Sequence, residues 1–227
     1  MIILLCIVYA ISLVWYMRRS LRQGFAAQLI LKTVTSTLFV LIAWACYATA
    51  QGDPGYFVPM LLAFVFSLFG DVFIQLQRRI NAFTRYALAC GVGAFFVAHC
   101  LFAAAFSNIA PFSLIDLAVY CVVFVGLYLI IRSLHLDFGR VAPLCMLYLA
   151  AIVLMFTKAL SAWYAGGLPI LAVLLPCGGA LFIASDFMLT LKNFYPPCNR
   201  SALVASGVTL TYYLAQLVFA LSLLYAA

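Results

Sequence analysis

Long apolar stretches alternate with short polar breaks along the whole chain. Eight stretches reach roughly the 20 residues that an α-helix needs to cross ~30 Å of hydrocarbon. Residues 57–76 are apolar on every face, which excludes the period-two alternation of a β-barrel strand. The pattern predicts an all-α membrane protein with eight transmembrane helices, at residues 1–17, 29–50, 57–76, 86–106, 113–132, 141–163, 169–190 and 201–225.

The composition supports this prediction and removes other classes. Of the 227 residues, 69% are hydrophobic and only 7% are charged, which is more apolar surface than a soluble core can bury. Nucleic-acid binding and a secreted disulfide framework are therefore excluded. The eight cysteines lie mostly in apolar stretches without metal-like spacing, so we expect no disulfide. No linker is long enough to divide the chain, and residues 1–227 are predicted to form a single polytopic transmembrane domain.

The basic residues predict how the helices cross the membrane. The net charge is +7, and the basic side chains gather after the first, third, fifth and seventh predicted helices. Cytoplasmic loops are enriched in Lys and Arg, so these loops are expected in the cytoplasm and both termini on the non-cytoplasmic side. The residues concerned are Arg18, Arg19, Arg22, Arg78, Arg79, Arg85, Arg132, Arg140, Lys192 and Arg200.

Two pairs of segments indicate an internal repeat at an offset of about 116 residues. Residues 95–103 align with 212–220, and residues 67–73 resemble 182–188. With four helices in each unit, the halves, roughly 1–106 and 113–225, would be parallel repeats related by an axis along the membrane normal. The third and seventh helices would then be equivalent.

The third and seventh predicted helices each carry one aspartate. Asp71 precedes Arg78 by seven residues and Asp186 precedes Lys192 by six, which places each ~9 to 10 Å from the basic end of its helix. An ionisable group at that depth is costly and normally functional, although a structural carboxylate in a buried hydrogen-bond network is the other interpretation. We predict that Asp71 and Asp186 are a general acid and general base.

Several neighbouring residues are candidates for a supporting or substrate-binding role. Lys32 begins the second helix near the depth of the aspartates, where it either pairs with one of them or extends to the interface. A lone intramembrane histidine is more often a hydrogen-bond partner than a metal ligand, and no metal site or cofactor is predicted. The tyrosines equally suit packing, and the serines suit close helix contact more than nucleophilic catalysis. The candidates are Lys32, His99, Ser185, Tyr212, Tyr213 and Gln216.

The remaining ionisable residues are assigned ordinary roles. Asp53, Asp116 and Asp137 fall at helix ends or in loops, where a carboxylate is solvated or caps a helix. Lys158 lies in the outer part of the sixth helix and is expected to extend outward to the interface.

Four short motifs, in order along helices 3 to 8, resemble the YhhN-type integral-membrane lysoplasmalogenases. The lysine-proline element of that family is represented by Lys32-Thr33, but Val34 and Thr35 follow where the family usually has a proline. The motifs are Phe66-Ser67-Leu68-Phe69-Gly70-Asp71, Ala98-His99, Gly178-Gly179-Ala180-Leu181-Phe182-Ile183-Ala184-Ser185-Asp186, and Tyr212-Tyr213-Leu214-Ala215-Gln216.

This resemblance implies hydrolysis of the vinyl ether bond of lysoplasmalogen to a fatty aldehyde and glycerophosphoethanolamine or glycerophosphocholine. It implies a lysophospholipid substrate, contact with membrane lipid and no cofactor. It also implies a location in the plasma (inner) membrane if the source is bacterial. Headgroup preference and oligomeric state are open at this stage.

Two other classes also fit membrane-embedded aspartates. A transporter of small molecules or lipids would use the two aspartates as a proton or substrate site, but transporters usually have broken helices near that site. An intramembrane aspartyl protease also pairs two aspartates, and Gly70-Asp71 is similar to part of its motif. That motif has a further glycine two residues earlier, where this chain has Leu68.

Overall fold

The computed structural model of the chain describes residues 1–20, 24–76, 84–165 and 168–226. Arg22, Arg78 and Arg79, which are expected in cytoplasmic loops, lie outside this part of the chain. Within it, all regular structure is helical and no strand is present. The helices are α1 (Ile2–Ser20), α2 (Phe25–Ala50), α3 (Pro54–Leu76), α4 (Thr84–Ile109), α5 (Leu114–Ser133), α6 (Ala142–Tyr164), α7 (Leu171–Phe194) and α8 (Ala202–Ser222), with short 3₁₀ turns at Gly139–Val141 and Pro196–Cys198.

The helix ends follow local chemistry. Pro54 opens α3 at a position where a helix needs no backbone N–H. Ser113 caps α5, and its side chain and that of Asp116 exchange hydrogen bonds with each other's backbone N–H, which is a capping box. Tyr195 ends α7 in an extended conformation because it precedes Pro196. Hydropathy alone placed the end of α7 four residues earlier, since the polar last turn lies beyond the apolar stretch.

Seven helices, α2 to α8, are long and apolar enough to cross a membrane, whereas the apolar part of α1, Ile2–Arg18, is shorter. The chain is therefore a multi-pass membrane protein. The eighth crossing and the orientation of the helices stay predictions from the sequence.

The chain divides into two compact units. Unit 1 comprises residues 1–105 and 219–227, and unit 2 comprises residues 106–218. In unit 1, α2 packs against both α1 and α3. Its core is aromatic: Phe64 contacts Phe39 and Phe102, and Phe102 contacts Phe219. Gly70 lets α3 approach α4, because a Cβ atom there would lie only 2.6 Å from the Phe95 ring.

Unit 2 repeats this arrangement, with α6 packed against both α5 and α7. Gly179 of α7 lies against α6, and a Cβ atom there would lie 2.9 Å from Phe156 and 3.2 Å from Ala159. Gly207 similarly allows α8 to contact Met188 of α7. Each unit therefore has a central helix between two neighbours and uses a glycine for close helix contact.

One sequence-based assignment in unit 2 is wrong, and a second is incomplete. Lys158 does not extend to the interface: its side chain is 1% exposed and its Nζ lies 3.1 Å from Asp116 Oδ2. Asp116 caps α5 as expected, but it is buried rather than solvated and also accepts hydrogen bonds from Ser161 and Tyr164. Lys158 Nζ completes the cluster by donating to the Ala110 carbonyl at 2.7 Å. The two residues neutralise each other within the protein, which removes the need for either to reach water.

Candidate active site

Asp71 lies in a polar contact between α2 and α3 of unit 1. Its side chain is 3% exposed, and its Oδ1 lies 3.0 Å from Lys32 Nζ. The Ser36 hydroxyl donates to the other oxygen, Oδ2, at 2.6 Å. Lys32 and Ser36 are one helical turn apart and so share a face of α2. Both carboxylate oxygens of Asp71 are therefore held by α2, and Lys32 forms an ion pair rather than only extending to the interface.

The polar contact extends one turn in each direction from Asp71. Gln75, one turn after Asp71, donates to Gln28, one turn before Lys32, at 3.2 Å. Ser67, one turn before Asp71, is buried, and its hydroxyl has no hydrogen-bond partner within the described ranges. These residues give α3 a polar face about two turns long, with Asp71 at its centre.

Asp186 lies between α6 and α7 of unit 2, where it is half-buried. The Tyr148 hydroxyl of α6 donates to its Oδ2 at 2.5 Å. This short bond fixes one carboxylate oxygen of Asp186 against the preceding helix. Asp186 thus has the same kind of support as Asp71, a side chain from the helix before it, but the donor is a phenol.

The other candidates in unit 2 have a mixture of packing and polar roles. Ser185 is buried and donates to the Val208 carbonyl at 3.0 Å, so it joins α7 to α8. Tyr212 is buried against Phe182 and Tyr213, with ring centroids 5.5 and 4.9 Å away. These contacts place Ser185 and the two tyrosines in the packing around α7 and α8.

His99 and Gln216 are both completely buried. His99 lies on α4 in unit 1, and Gln216 lies on α8 in unit 2, one turn after Tyr212. Neither the amide nitrogen nor the amide oxygen of Gln216 has a hydrogen-bond partner among the residues that the structure describes. A buried amide normally binds a partner, so Gln216 is suited to contact a polar group of a ligand.

Sequence reasoning missed Tyr148 and Ser36, which contact the two aspartates directly. The predicted internal repeat offers a signal for Tyr148: Lys32 and Tyr148 are 116 residues apart, and Asp71 and Asp186 are 115 residues apart. Under the predicted repeat, the residue that supports the acid has an equivalent position in each half. Ser36 has no such signal, because the corresponding position is Ile152.

The described residues contain no group of three His, Cys, Asp or Glu side chains that could hold a metal ion. All eight cysteines are free thiols. At Asp71 and at Asp186, a carboxyl group is instead held by proton-bearing side chains of the preceding helix. Such groups are equipped for proton transfer and for stabilising a positive charge.

Comparison with known proteins identifies the family but gives no individual relative. Neither the search of curated proteins nor the search of solved structures gives a match. The sequence model of the YhhN family matches residues 27–223, which include α3 to α8 and nearly all of α2. This match includes every candidate site residue, and the chain therefore belongs to the YhhN family.

Proposed function

We propose that this protein is a membrane-embedded hydrolase that cleaves the vinyl ether bond of lysoplasmalogen. The products would be a fatty aldehyde and glycerophosphoethanolamine or glycerophosphocholine. One observation carries the proposal: within transmembrane helices, Asp71 and Asp186 each accept a short hydrogen bond from the preceding helix. Membership of the YhhN family supports the same conclusion.

The reaction explains why two carboxyl groups are needed. A carboxylic acid donates a proton to the β-carbon of the enol ether, which leaves an oxocarbenium ion at the carbon bonded to oxygen. A second carboxylate stabilises this cation. Water then adds to the cation and returns a proton to the first carboxylate. The resulting hemiacetal collapses to the aldehyde and the alcohol, so no oxidant, metal or cofactor is consumed.

We assign the charge-stabilising role to Asp71 and proton transfer to Asp186. The ammonium group of Lys32 and the hydroxyl of Ser36 both complement a negatively charged carboxylate at Asp71. In a mechanism with two carboxyl groups, the remaining role of proton donor then belongs to Asp186. Tyr148 would hold that group in position.

The alternative of a transporter with the same two aspartates is less well supported. Transporter sites are commonly formed by discontinuous helices. Here α3 and α7 continue without a break through Asp71 and Asp186, and each contains its proline, Pro59 or Pro176, more than two turns before the aspartate. This continuity favours a rigid catalytic site.

The direct test is aldehyde release from lysoplasmalogen by the purified protein in detergent. We expect equal amounts of aldehyde and glycerophospho-alcohol, and no loss of activity in EDTA. If no aldehyde forms and proteoliposomes instead take up a labelled solute or lipid in an Asp71-dependent manner, the hydrolase proposal is wrong and the transporter is favoured.

The leaflet that supplies the substrate depends on the predicted orientation. In a cysteine-free background, Asn81→Cys should be protected from an impermeant thiol reagent in intact cells, whereas Gly52→Cys should react. The glycerophospho-alcohol would then be released into the cytoplasm. Reaction at Asn81 and protection at Gly52 would place the substrate in the opposite leaflet.

A further inference from the structure

Unit 2 contains an apolar groove of ≈ 340 Å³ between α5, α6 and α7. One wall includes Leu127 and Ile130 of α5, the opposite wall is formed by α7, and Phe156 of α6 contributes to the lining. Every residue that lines the groove is apolar. In a membrane, such a groove binds hydrocarbon rather than water or a polar solute.

The groove exists because the exposed side of α7 carries small residues. Ala180 and Ala184 lie one turn apart in the lining and are both exposed. Phe187 is a bulky residue of the same lining. A larger side chain at either alanine would fill the space between α5 and α7.

The position of the groove on α7 connects it to the candidate proton donor. Asp186 lies between Ala184 and Phe187 in the sequence, whereas Ala180 lies six residues earlier, which is ~9 Å along the helix axis. The groove therefore begins at the level of Asp186 and runs along α7 away from Lys192. A chain in it would have one end at the level of Asp186 along α7 and the other at or beyond Ala180.

We propose that this groove binds the single hydrocarbon chain of the lysophospholipid substrate. The inference rests on the proposed function. The vinyl ether bond lies at the head end of the hydrocarbon chain, and Asp186 is the proposed proton donor to that bond, so this end of the chain is placed near Asp186. The volume of ≈ 340 Å³ lies near the lower end of the range of ligand pockets, about 300 to 1,000 Å³. A space of that size suits one chain better than the two chains of a membrane phospholipid.

Because Ala180 lies at the far part of the groove, the decisive measurement is how activity depends on the length of the substrate chain. Ala180→Phe should block the far part of the groove, and Ala184→Phe should block the part next to Asp186. A matched control is Ala118→Phe, because Ala118 is also an exposed alanine but lies on α5 outside the groove lining. Each variant is assayed by aldehyde release with alkenyl chains of about 16 and about 8 carbons.

We expect Ala180→Phe to lower kcat/KM about tenfold for the long chain and to leave the short chain nearly unchanged. Ala184→Phe should impair both substrates, and Ala118→Phe neither. If Ala180→Phe and Ala184→Phe match Ala118→Phe at both chain lengths, the groove does not bind the substrate chain and the proposal is wrong.

A binding measurement separates this proposal from the proposed function. A lysophosphatidylcholine with a diazirine at the end of its chain is photo-crosslinked to the protein, and labelled peptides are identified by mass spectrometry. Crosslinks to α5 and α7 that disappear in Ala180→Phe support the groove even if the wild type releases no aldehyde. Equal labelling by a two-chain phosphatidylcholine that lysolipid does not displace would identify the occupant as bulk membrane lipid and overturn the inference.

Discussion

The two aspartate contacts have the same architecture but differ in chemistry. In unit 1 an ammonium group lies 3.0 Å from Asp71, and in unit 2 a phenolic hydroxyl lies 2.5 Å from Asp186. The supporting residues, Lys32 and Tyr148, lie 116 residues apart, which matches the offset of the predicted repeat. A cation complements a carboxylate that keeps its charge, whereas a neutral hydroxyl can hold a carboxyl group that exchanges a proton. Contacts of the same architecture are therefore suited to give the two acids different tasks.

The strongest test of this comparison removes each acid in turn. Asp71→Asn and Asp186→Asn should each lower aldehyde release by at least about 10²-fold, because an amide keeps the shape but neither carries charge nor exchanges a proton. Asp53→Asn, which changes an exposed aspartate near the start of α3, is the matched control. Near-normal activity in either site variant, with normal elution in gel filtration, would remove that aspartate from the mechanism.

A smaller effect is expected when Asp71 loses its cation. Lys32→Met should leave the buried carboxylate uncompensated, at a cost of about 3 kcal/mol, which corresponds to roughly 10²-fold in rate if the cost falls on the transition state. Thermal unfolding and kcat are both measured, since part of the cost is expected in stability. Lys32→Arg keeps the charge and should recover part of the activity. Equal activities of the two variants would show that charge at this position is unimportant.

Tyr148→Phe removes only a hydroxyl and should lower kcat about tenfold, in line with the loss of one hydrogen bond to an ionisable group. A positioning role also predicts a changed pH profile of kcat, because the hydroxyl contacts Asp186 directly. Tyr128→Phe is the control, since Tyr128 is 38% exposed on α5. An unchanged pH profile together with a lower melting temperature would make Tyr148 a packing residue.

The smallest effect is expected for Ser36, which supports Asp71 beside Lys32. Ser36→Ala should reduce activity about fivefold, because one neutral donor worth about 1 kcal/mol is lost. Thr37→Ala changes the neighbouring exposed hydroxyl and should have no effect on turnover. A loss as large as that of Lys32→Met would mean that the serine, rather than the ammonium group, supports Asp71.

The helices could be predicted from the sequence, and the two aspartates could be singled out as candidates, because both depend on local pattern. An apolar stretch of the right length forms a helix in a membrane wherever it occurs, so α2 to α8 follow from hydropathy alone. An aspartate inside such a stretch is conspicuous for the same reason. Only the helix ends shifted, as at α2, which begins at Phe25 rather than residue 29.

The partners of charged residues were harder to predict because they come from distant parts of the chain. Lys158 and Asp116 are 42 residues apart, and nothing near either residue indicates that they meet. Tyr148 was missed because a tyrosine in an apolar helix is usually a packing residue. The contact between Lys32 and Asp71 was easier to predict, because the depth of both residues in the membrane could be counted from the helix ends.

The buried pair of Lys158 and Asp116 has a consequence for how the protein enters the membrane. Lys158 lies six residues before the end of α6, and a lone lysine ~9 Å inside a helix end opposes transfer into lipid. Its partner arrives earlier in synthesis, on α5. The ion pair therefore favours transfer of α5 and α6 into lipid together, as one neutralised hairpin.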